Sequence, residues 1–254
     1  MNKEPPALSV IGVSKSFGGI RAVDNVSLDL YNGECRVIIG PNGAGKTTLF
    51  NLITGELPVD KGKILLFGED VTTASIKRRL SLGLARTYQI VSLFNEMTVE
   101  DNLTIALQAK YTNIFNLFIN RYKIQLRDKL LELAENFSLN VKQKVMELSY
   151  GEKRKLEIAM AFALNPKILM LDEPTAGLTL MERDVLKNLL LNLIKKNRIS
   201  ILLVEHDINF ALAMASNVYV MNQGSIIFNG TPEELYKNTT VIQVYFGQSI
   251  NHDG

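Results

Sequence analysis

The sequence predicts an α/β fold with a mainly parallel sheet, helices on both of its faces, an N-terminal antiparallel β element and an inserted helical segment. Three observations support this prediction. Apolar and polar residues alternate from Leu8 to Leu30, no strand-like β-branched run interrupts the stretch from Thr98 to Phe137, and short apolar strands alternate with helical patterns after Leu148. Such alternation is typical of parallel sheets covered by helices.

The first half of the chain begins with β structure. The alternation from Leu8 to Leu30 is interrupted at Gly18-Gly19, which indicates short antiparallel strands joined by turns. Cys35 to Ile39 is predicted to be a buried strand, followed by a glycine-rich loop and a helix that begins near Lys46. The stretch from Thr98 to Phe137 is predicted to be mostly helical, and it is the best candidate for an inserted subdomain.

Strands and helices alternate again in the second half. The last two strands flank Asn222-Gln223-Gly224, which is typical of a hairpin turn. The predicted elements are, in order, a helix from Gly151 to Leu164, a strand from Lys167 to Leu171, a helix from Met181 to Asn197, a strand from Ser200 to Val204, a helix from Asn209 to Ser216, and strands from Val218 to Met221 and from Ser225 to Phe228.

The composition is that of a globular chain and narrows the possible functions. The net charge of +2 is too small to favour nucleic-acid binding, and the single cysteine, Cys35, excludes an internal disulfide framework or a cysteine-based zinc site. No signal peptide is visible behind Met1, and the longest apolar run, from Ile158 to Leu164, is too short to span a membrane. By itself the chain is expected to be soluble and cytoplasmic.

A phosphate-binding loop is predicted between the strand that ends at Ile39 and the helix that follows. The segment from Gly40 to Thr47 matches the pattern G-x-x-x-x-G-K-[ST]. Glycines allow backbone N–H groups to surround phosphate oxygens, and the helix adds its positive end. Lys46 is expected to reach the β- and γ-phosphates, and Thr47 to bind Mg²⁺. The residues expected to bind nucleotide here are Gly40, Pro41, Asn42, Gly43, Ala44, Gly45, Lys46, Thr47 and Thr48.

Two further strands end in residues suited to hydrolysis. The predicted strand through Leu171 is followed by Asp172 and Glu173, and the next strand by His206. Ligands bind at the carboxyl ends of parallel strands, so these side chains should face the phosphate loop. Asp172 would hold Mg²⁺ through water, Glu173 would accept a proton from the attacking water, and His206 would contact the γ-phosphate. Without the phosphate loop, an Asp-Glu pair would indicate only a solvated loop. Gln89, taken alone, does not indicate a function.

Together these features resemble the nucleotide-binding subunit of ATP-binding cassette (ABC) transporters. The decisive segment runs from Leu148 to Glu152, which resembles the family's signature motif LSGGQ, and it is followed by basic residues and a helix. The resemblance implies one ABC ATPase domain with a P-loop NTPase core. It places the core and its antiparallel β element at about 1–90 and 165–254, and a helical subdomain with the signature motif at about 91–164.

The resemblance assigns roles to four further residues. Phe17 matches the aromatic residue that stacks on adenine, although a core phenylalanine is the alternative. Gln89 matches the glutamine that senses Mg²⁺ and the attacking water and communicates with the membrane partner. Ser149 and Gly151 are expected to contact the γ-phosphate of ATP bound by a second subunit, because an exposed helix start is an outward-facing anion site.

The sequence departs from the family pattern at three positions. Tyr150 replaces the second signature glycine, and Glu152 replaces the final glutamine of the signature. Thr179 stands where many members have aspartate, which weakens the transfer of the usual contact between subunits at that residue. Ser149 and Gly151, the residues expected to contact phosphate, are retained.

Other segments resemble one branch of the family, the ATPases of high-affinity branched-chain amino-acid importers, with urea-importer ATPases close to them. These segments are 18–23, 84–89, 93–99, 230–235 and 244–247. A basic and aromatic segment from Lys110 to Lys129 also fits this branch. Two interpretations of it stay open: a solvated helix pair with a small core, or a contact with a membrane partner or lipid headgroups.

The resemblance implies an ATPase that uses ATP and Mg²⁺ at the cytoplasmic face of the membrane. Its implied partners are a second ABC ATPase subunit (a paralogue or itself), membrane permease subunits and, indirectly, a solute-binding protein, with no nucleic acid. Two alternatives are a soluble ABC ATPase outside transport and a cassette that does not hydrolyse ATP. The second conflicts with the presence of Lys46, Asp172, Glu173 and His206. Specificity for the solute lies in the partners, so the sequence does not name it.

Overall fold

Two β-sheets form the frame of the protein in the computed structural model, which describes residues 5–87, 93–111, 120–239 and 241. The larger sheet has six strands in the order β10-β9-β3-β8-β7-β6, and the smaller has four in the order β2-β1-β4-β5. The strands are β1 (Leu8–Phe17), β2 (Ile20–Leu30), β3 (Cys35–Ile39), β4 (Lys61–Leu66), β5 (Glu69–Asp70), β6 (Leu84–Arg86), β7 (Ile168–Asp172), β8 (Ser200–Val204), β9 (Asn217–Asn222) and β10 (Ser225–Gly230).

Strand direction separates the two sheets. Strands β6, β7, β8, β3 and β9 pair in parallel, and only β10 runs antiparallel to its neighbour in the larger sheet. The smaller sheet is antiparallel throughout its described pairings. The predicted α/β architecture, with an antiparallel element formed by the N-terminal strands, is therefore confirmed.

Eight α-helices are described alongside the sheets. They are α1 (Lys46–Thr54), α2 (Ile76–Leu82), α3 (Val99–Tyr111), α4 (Asn120–Asn136), α5 (Tyr150–Ala163), α6 (Leu180–Asn197), α7 (Ile208–Met214) and α8 (Pro232–Leu235). Within the described ranges, none of the helices is long and apolar enough to cross a membrane.

The parallel sheet divides the hydrophobic core in two, because successive side chains of a strand point to opposite faces. On β3, Ile38 packs with the smaller sheet and α1, whereas Val37 and Ile39 pack with the helices on the other face. Strand β7 repeats the division, with Met170 on the first face and Leu169 on the second. Apolar residues of α3, α4 and α5 pack on this second face, together with Val37, Ile39 and Leu169. The proposed boundaries of the helical subdomain stay a prediction.

The predicted elements agree with the structure to within two or three residues at most ends, but the segment 61–86 was not predicted. It contains β4, β5, α2 and β6. The sequence predicts a helical stretch before Gln89; in the structure α2 ends at Leu82, and a short strand ending at Arg86 follows. Strand β4 pairs with β1, although β2, β3 and α1 lie between them in the sequence. The pairing is therefore a tertiary contact that a local pattern does not reveal.

Arg79 joins α2 to the end of α1. Its side chain is only 2% exposed. The guanidinium donates hydrogen bonds of 2.6 Å to the carbonyl oxygens of Leu52 and Ile53, and longer bonds to those of Thr72 and Ala74. The last carbonyls of a helix have no partners within the helix, so Arg79 stabilises the C-terminal end of α1.

Replacing Arg79 with glutamine is expected to lower the free energy of unfolding by about 2–4 kcal/mol, because several buried carbonyls lose their donor. Urea denaturation followed by circular dichroism measures the change. Arg78→Gln is the control, since Arg78 makes an exposed ion pair with Glu69, and such pairs contribute at most about 1 kcal/mol. Equal losses in both variants would contradict the role of Arg79.

Candidate functional site

The phosphate loop lies between β3 and α1 and requires glycine at two positions. A Cβ atom on Gly45, where φ is +98°, would lie 2.2 Å from the carbonyl oxygen of Ala22. A Cβ on Gly40 would lie 2.3 Å from the carbonyl oxygen of Met221. Both distances are far below contact distance, so these close approaches exclude any side chain. The loop leads directly into the N-terminus of α1, and the N-terminus is the end of a helix that attracts anions.

Lys46 lies inside this loop. Its ammonium group donates hydrogen bonds to the carbonyl oxygens of Gly40, at 2.7 Å, and Pro41, at 3.1 Å. Burial lowers the pKa of Lys46, and the negative charges of Glu173 and Asp172 oppose that effect. Lys46 therefore lies at the carboxyl end of β3, and β8 and then β7 lie beside β3 in the parallel sheet, so the lysine and both carboxylates are at the same edge.

Glu173 and His206 meet at the same edge of the sheet. Strands β7 and β8 are parallel neighbours, with Asp172 opposite Val204 in register. His206 Nε2 lies 2.6 Å from Glu173 Oε1. His206 is predicted to contact phosphate; in the structure its Nε2 contacts Glu173, the residue expected to act as general base.

Asp172 is paired with an arginine that sequence reasoning missed as a site residue. The Asp172 side chain is 3% exposed, and its Oδ2 accepts a hydrogen bond of 2.8 Å from Arg86. Arg86 also donates to Asn51, at 2.6 Å. Burial raises the pKa of Asp172, and the hydrogen bond and charge of Arg86 oppose that rise. Arg86 lies at the end of β6, so the pairing of β6 with β7 brings it to Asp172.

The side-chain oxygens near the loop are suitable ligands for a magnesium ion that is bound together with phosphates. Magnesium prefers oxygen ligands, and with nucleotides it takes one or two side-chain oxygens beside those of the phosphates. Asp172 supplies a carboxylate at the end of β7, and Thr47 supplies an exposed hydroxyl in the first turn of α1. In the residues that the structure describes, no group of three or more His, Cys, Asp and Glu side chains is arranged to hold a metal.

Glu205 is a second site residue that sequence reasoning missed. Its buried carboxylate accepts hydrogen bonds from the backbone N–H and the hydroxyl of Thr175, and from the backbone N–H groups of His206 and Asp207. Burial raises the pKa of Glu205, while these hydrogen bonds lower it. The residue ties the turn after β7 to the turn after β8. A carboxylate directly between a buried strand and a candidate catalytic histidine was the available sequence signal.

The signature residues lie at the start of α5. Ser149 is the N-cap: its side chain accepts a hydrogen bond from the backbone N–H of Glu152, whose carboxylate accepts one from the Ser149 N–H. Glu152, a departure from the family pattern, thus completes a capping box. A Cβ on Gly151 would lie 2.4 Å from Glu182 Oε1, so a side chain there would displace the carboxylate that accepts hydrogen bonds from Thr179. Thr179 caps α6 in the same way, with Glu182 as its partner.

Phe17 lies on the surface at the end of β1. It is 46% exposed, and the ammonium group of Lys15 lies 5.6 Å from its ring centroid. Lys15 is held in turn by Asp60, at 2.6 Å. These observations exclude the alternative of a core phenylalanine and leave the ring accessible for stacking.

Several predicted features lie outside the described residues. Gln89, predicted to be a catalytic and metal-binding residue, falls in 88–92, and the resemblance at 244–247 falls in the tail. Side chains are not described for 110–125, which includes most of the basic and aromatic segment, so both interpretations of that segment stay open.

Comparison with known proteins identifies the class. A protein-family model described as ABC transporter matches residues 23–176, and the chain belongs to that family. Solved structures agree: a nucleotide-free ATP-binding cassette from an ABC transporter is 29% identical with a TM-score of 0.81, over 94% of this chain and 98% of that one. Another, in its ADP conformation, is 32% identical with a TM-score of 0.84, over 95% and 99%.

Curated relatives identify the branch. The chain is 39% identical over 252 residues to the high-affinity branched-chain amino acid transport ATP-binding protein LivG of Escherichia coli (strain K12), covering 96% of this chain and 99% of the relative. It is 37% identical over 253 residues to the corresponding protein BraF of Pseudomonas aeruginosa, with coverage of 96% and 99%. The resemblance to this branch, predicted from motifs alone, is confirmed.

Proposed function

We propose that the chain binds and hydrolyses ATP as the ATPase subunit of an ABC importer for branched-chain amino acids. The observation that carries this proposal is that Lys46, Asp172, Glu173 and His206 lie at one edge of the parallel sheet. Similarity to LivG and BraF over nearly the full length supports the choice of solute class.

Each part of the site has a role in hydrolysis. The loop from Gly40 to Thr48 would hold the phosphates through backbone N–H groups, and Lys46 would turn from its carbonyl acceptors to the β- and γ-phosphates. Phe17 would stack on adenine. Mg²⁺, held by Thr47 and Asp172 and, by resemblance, Gln89, would offset phosphate charge.

The chemical step depends on Glu173. Its carboxylate would accept a proton from water as the water oxygen bonds to the γ-phosphorus, and the bond to the β-phosphate oxygen breaks to leave ADP and phosphate. The contact between His206 and Glu173 supports a role for His206 in orienting that carboxylate. His206 would also donate to the γ-phosphate.

The complete site would need a second ATPase subunit, either a copy of this chain or a paralogue. Ser149 and Gly151 lie at an exposed helix start, and a hydroxyl and backbone N–H groups there suit an incoming γ-phosphate. The paired subunits would work at the cytoplasmic face of the membrane with permease subunits, and indirectly with a solute-binding protein. No nucleic acid takes part.

Uptake assays test this proposal. Cells that lack the chain should lose high-affinity uptake of radiolabelled leucine, and the native chain should restore it, whereas Lys46→Ala should not. Labelled urea is the matched second solute. Loss of urea uptake with normal leucine uptake would assign the chain to urea import, and normal uptake of both by cells whose chain still hydrolyses ATP would indicate an ATPase outside these transport systems.

A further inference from the structure

The turn that carries Glu173 has an unusual backbone conformation. Glu173 has a φ of +47°, in the left-handed region that residues with side chains rarely occupy. Such a conformation persists only where surrounding groups hold it in place. The backbone N–H of Glu173 donates to the carbonyl oxygen of Val204, which holds one side of the turn. The carbonyl groups of the turn must be held by another partner.

Arg154 is that partner. One of its terminal nitrogens, Nη2, donates to the carbonyl oxygens of Asp172, at 3.0 Å, and Glu173, at 2.6 Å, and its Nε donates to that of Pro174, at 3.1 Å. The side chain is fully buried. Its other terminal nitrogen, Nη1, donates to Glu157 Oε2, at 2.5 Å. The guanidinium therefore binds three consecutive carbonyls and is itself fixed by a carboxylate.

Only an arginine side chain matches this arrangement. A guanidinium presents donors in a rigid planar fork, whereas a lysine ammonium has a single nitrogen and a glutamine amide is shorter. Arg154 also lies on α5, the helix whose N-cap is Ser149. The backbone of Glu173 is thus attached to the helix that begins with the signature residues.

We propose that Arg154 is a positioning residue for ATP hydrolysis, which holds the backbone of Glu173 so that its carboxylate points at the attacking water. This inference rests on the proposed function, because it acts through Glu173 as general base. Arg154 does not reach the nucleotide itself in this role. Loss of Arg154 should therefore impair the chemical step and leave ATP binding unchanged.

The test compares two arginines in the purified chain. Arg154→Gln should lower kcat by about 10²-fold, the cost typical of a misplaced catalytic group, with little change in KM for ATP. Arg154→Lys should not restore the rate, because it lacks the fork. Arg79→Gln is the matched control, since Arg79 is also buried and donates to backbone carbonyls, but at the end of α1. Its kcat per folded molecule should be unchanged.

A double-mutant cycle separates positioning from a general structural effect. In a Glu173→Gln background, Arg154→Gln should cause no further loss of residual single-turnover hydrolysis, because the group it positions is already inactive. A double variant whose rate loss is the product of the two single-variant losses would overturn the proposal. A native kcat in Arg154→Gln would overturn it too. If Arg154→Gln does not fold, Arg154→Gln combined with Glu157→Gln removes the unpaired buried carboxylate and is measured in the same way.

The failure of this inference is distinguishable from failure of the proposed function. A native chain that does not hydrolyse ATP would contradict the proposed function. A native chain that hydrolyses ATP, loses activity on Glu173→Gln and keeps it on Arg154→Gln would contradict only the role of Arg154.

Discussion

Glu173→Gln is expected to lower ATP turnover by about 10²–10⁴-fold, the contribution typical of a general base, while ATP binding is retained. Glutamine has nearly the shape of glutamate but does not accept the proton of the attacking water. The variant should therefore bind ATP and stall before hydrolysis. Steady-state phosphate release measures turnover, and light scattering with and without ATP measures whether the stalled chains remain dimeric.

Glu132→Gln is the control for this prediction, because Glu132 is exposed on α4, remote in sequence from the site, and loses the same charge. It should hydrolyse ATP at the native rate and dissociate after turnover. Native hydrolysis by Glu173→Gln would contradict the assignment of the general base. Loss of ATP binding in that variant would indicate that Glu173 holds nucleotide instead.

A mixture of Ser149→Arg chains with Lys46→Ala chains is expected to regain activity that neither variant has alone. A mixed dimer contains one site with both a native phosphate loop and a native signature, provided that each site is built from two chains. Random pairing makes half of the dimers mixed, each with one competent site. The mixture should therefore reach at most about a quarter of native activity, as expected for two equivalent sites in a symmetric dimer.

The matched control mixes Lys46→Ala with Glu173→Gln. Lys46 and Glu173 lie at the same sheet edge of one chain, so both lesions affect the same half of the site and every dimer has two defective sites. This mixture should stay inactive. Recovery in the control, or full activity of an isolated native monomer, would contradict a site shared between two subunits.

The parts of the fold and site that could be predicted are those with local signals. The loop from Gly40 to Thr47 has a fixed pattern, and strands β7 and β8 are short apolar segments followed directly by polar residues. Parallel strands bring such residues to one edge, so Glu173 and His206 could be expected to lie together. The contact between their side chains agrees with that expectation. Segment 61–86 has no comparably clear pattern, and its strands depend on partners distant in sequence.

By itself, the sequence determined the class of fold, the phosphate loop, the strands that end at or just before Asp172, Glu173 and His206, and the family. Only the tertiary structure decided which groups hold these residues: Arg86 on Asp172, Glu205 between two turns, and Arg154 on the backbone of Glu173. The physical reason is that hydrogen bonds of buried arginines and glutamates depend on distances set by packing between separate elements. The spacing of residues along the chain does not predict those distances.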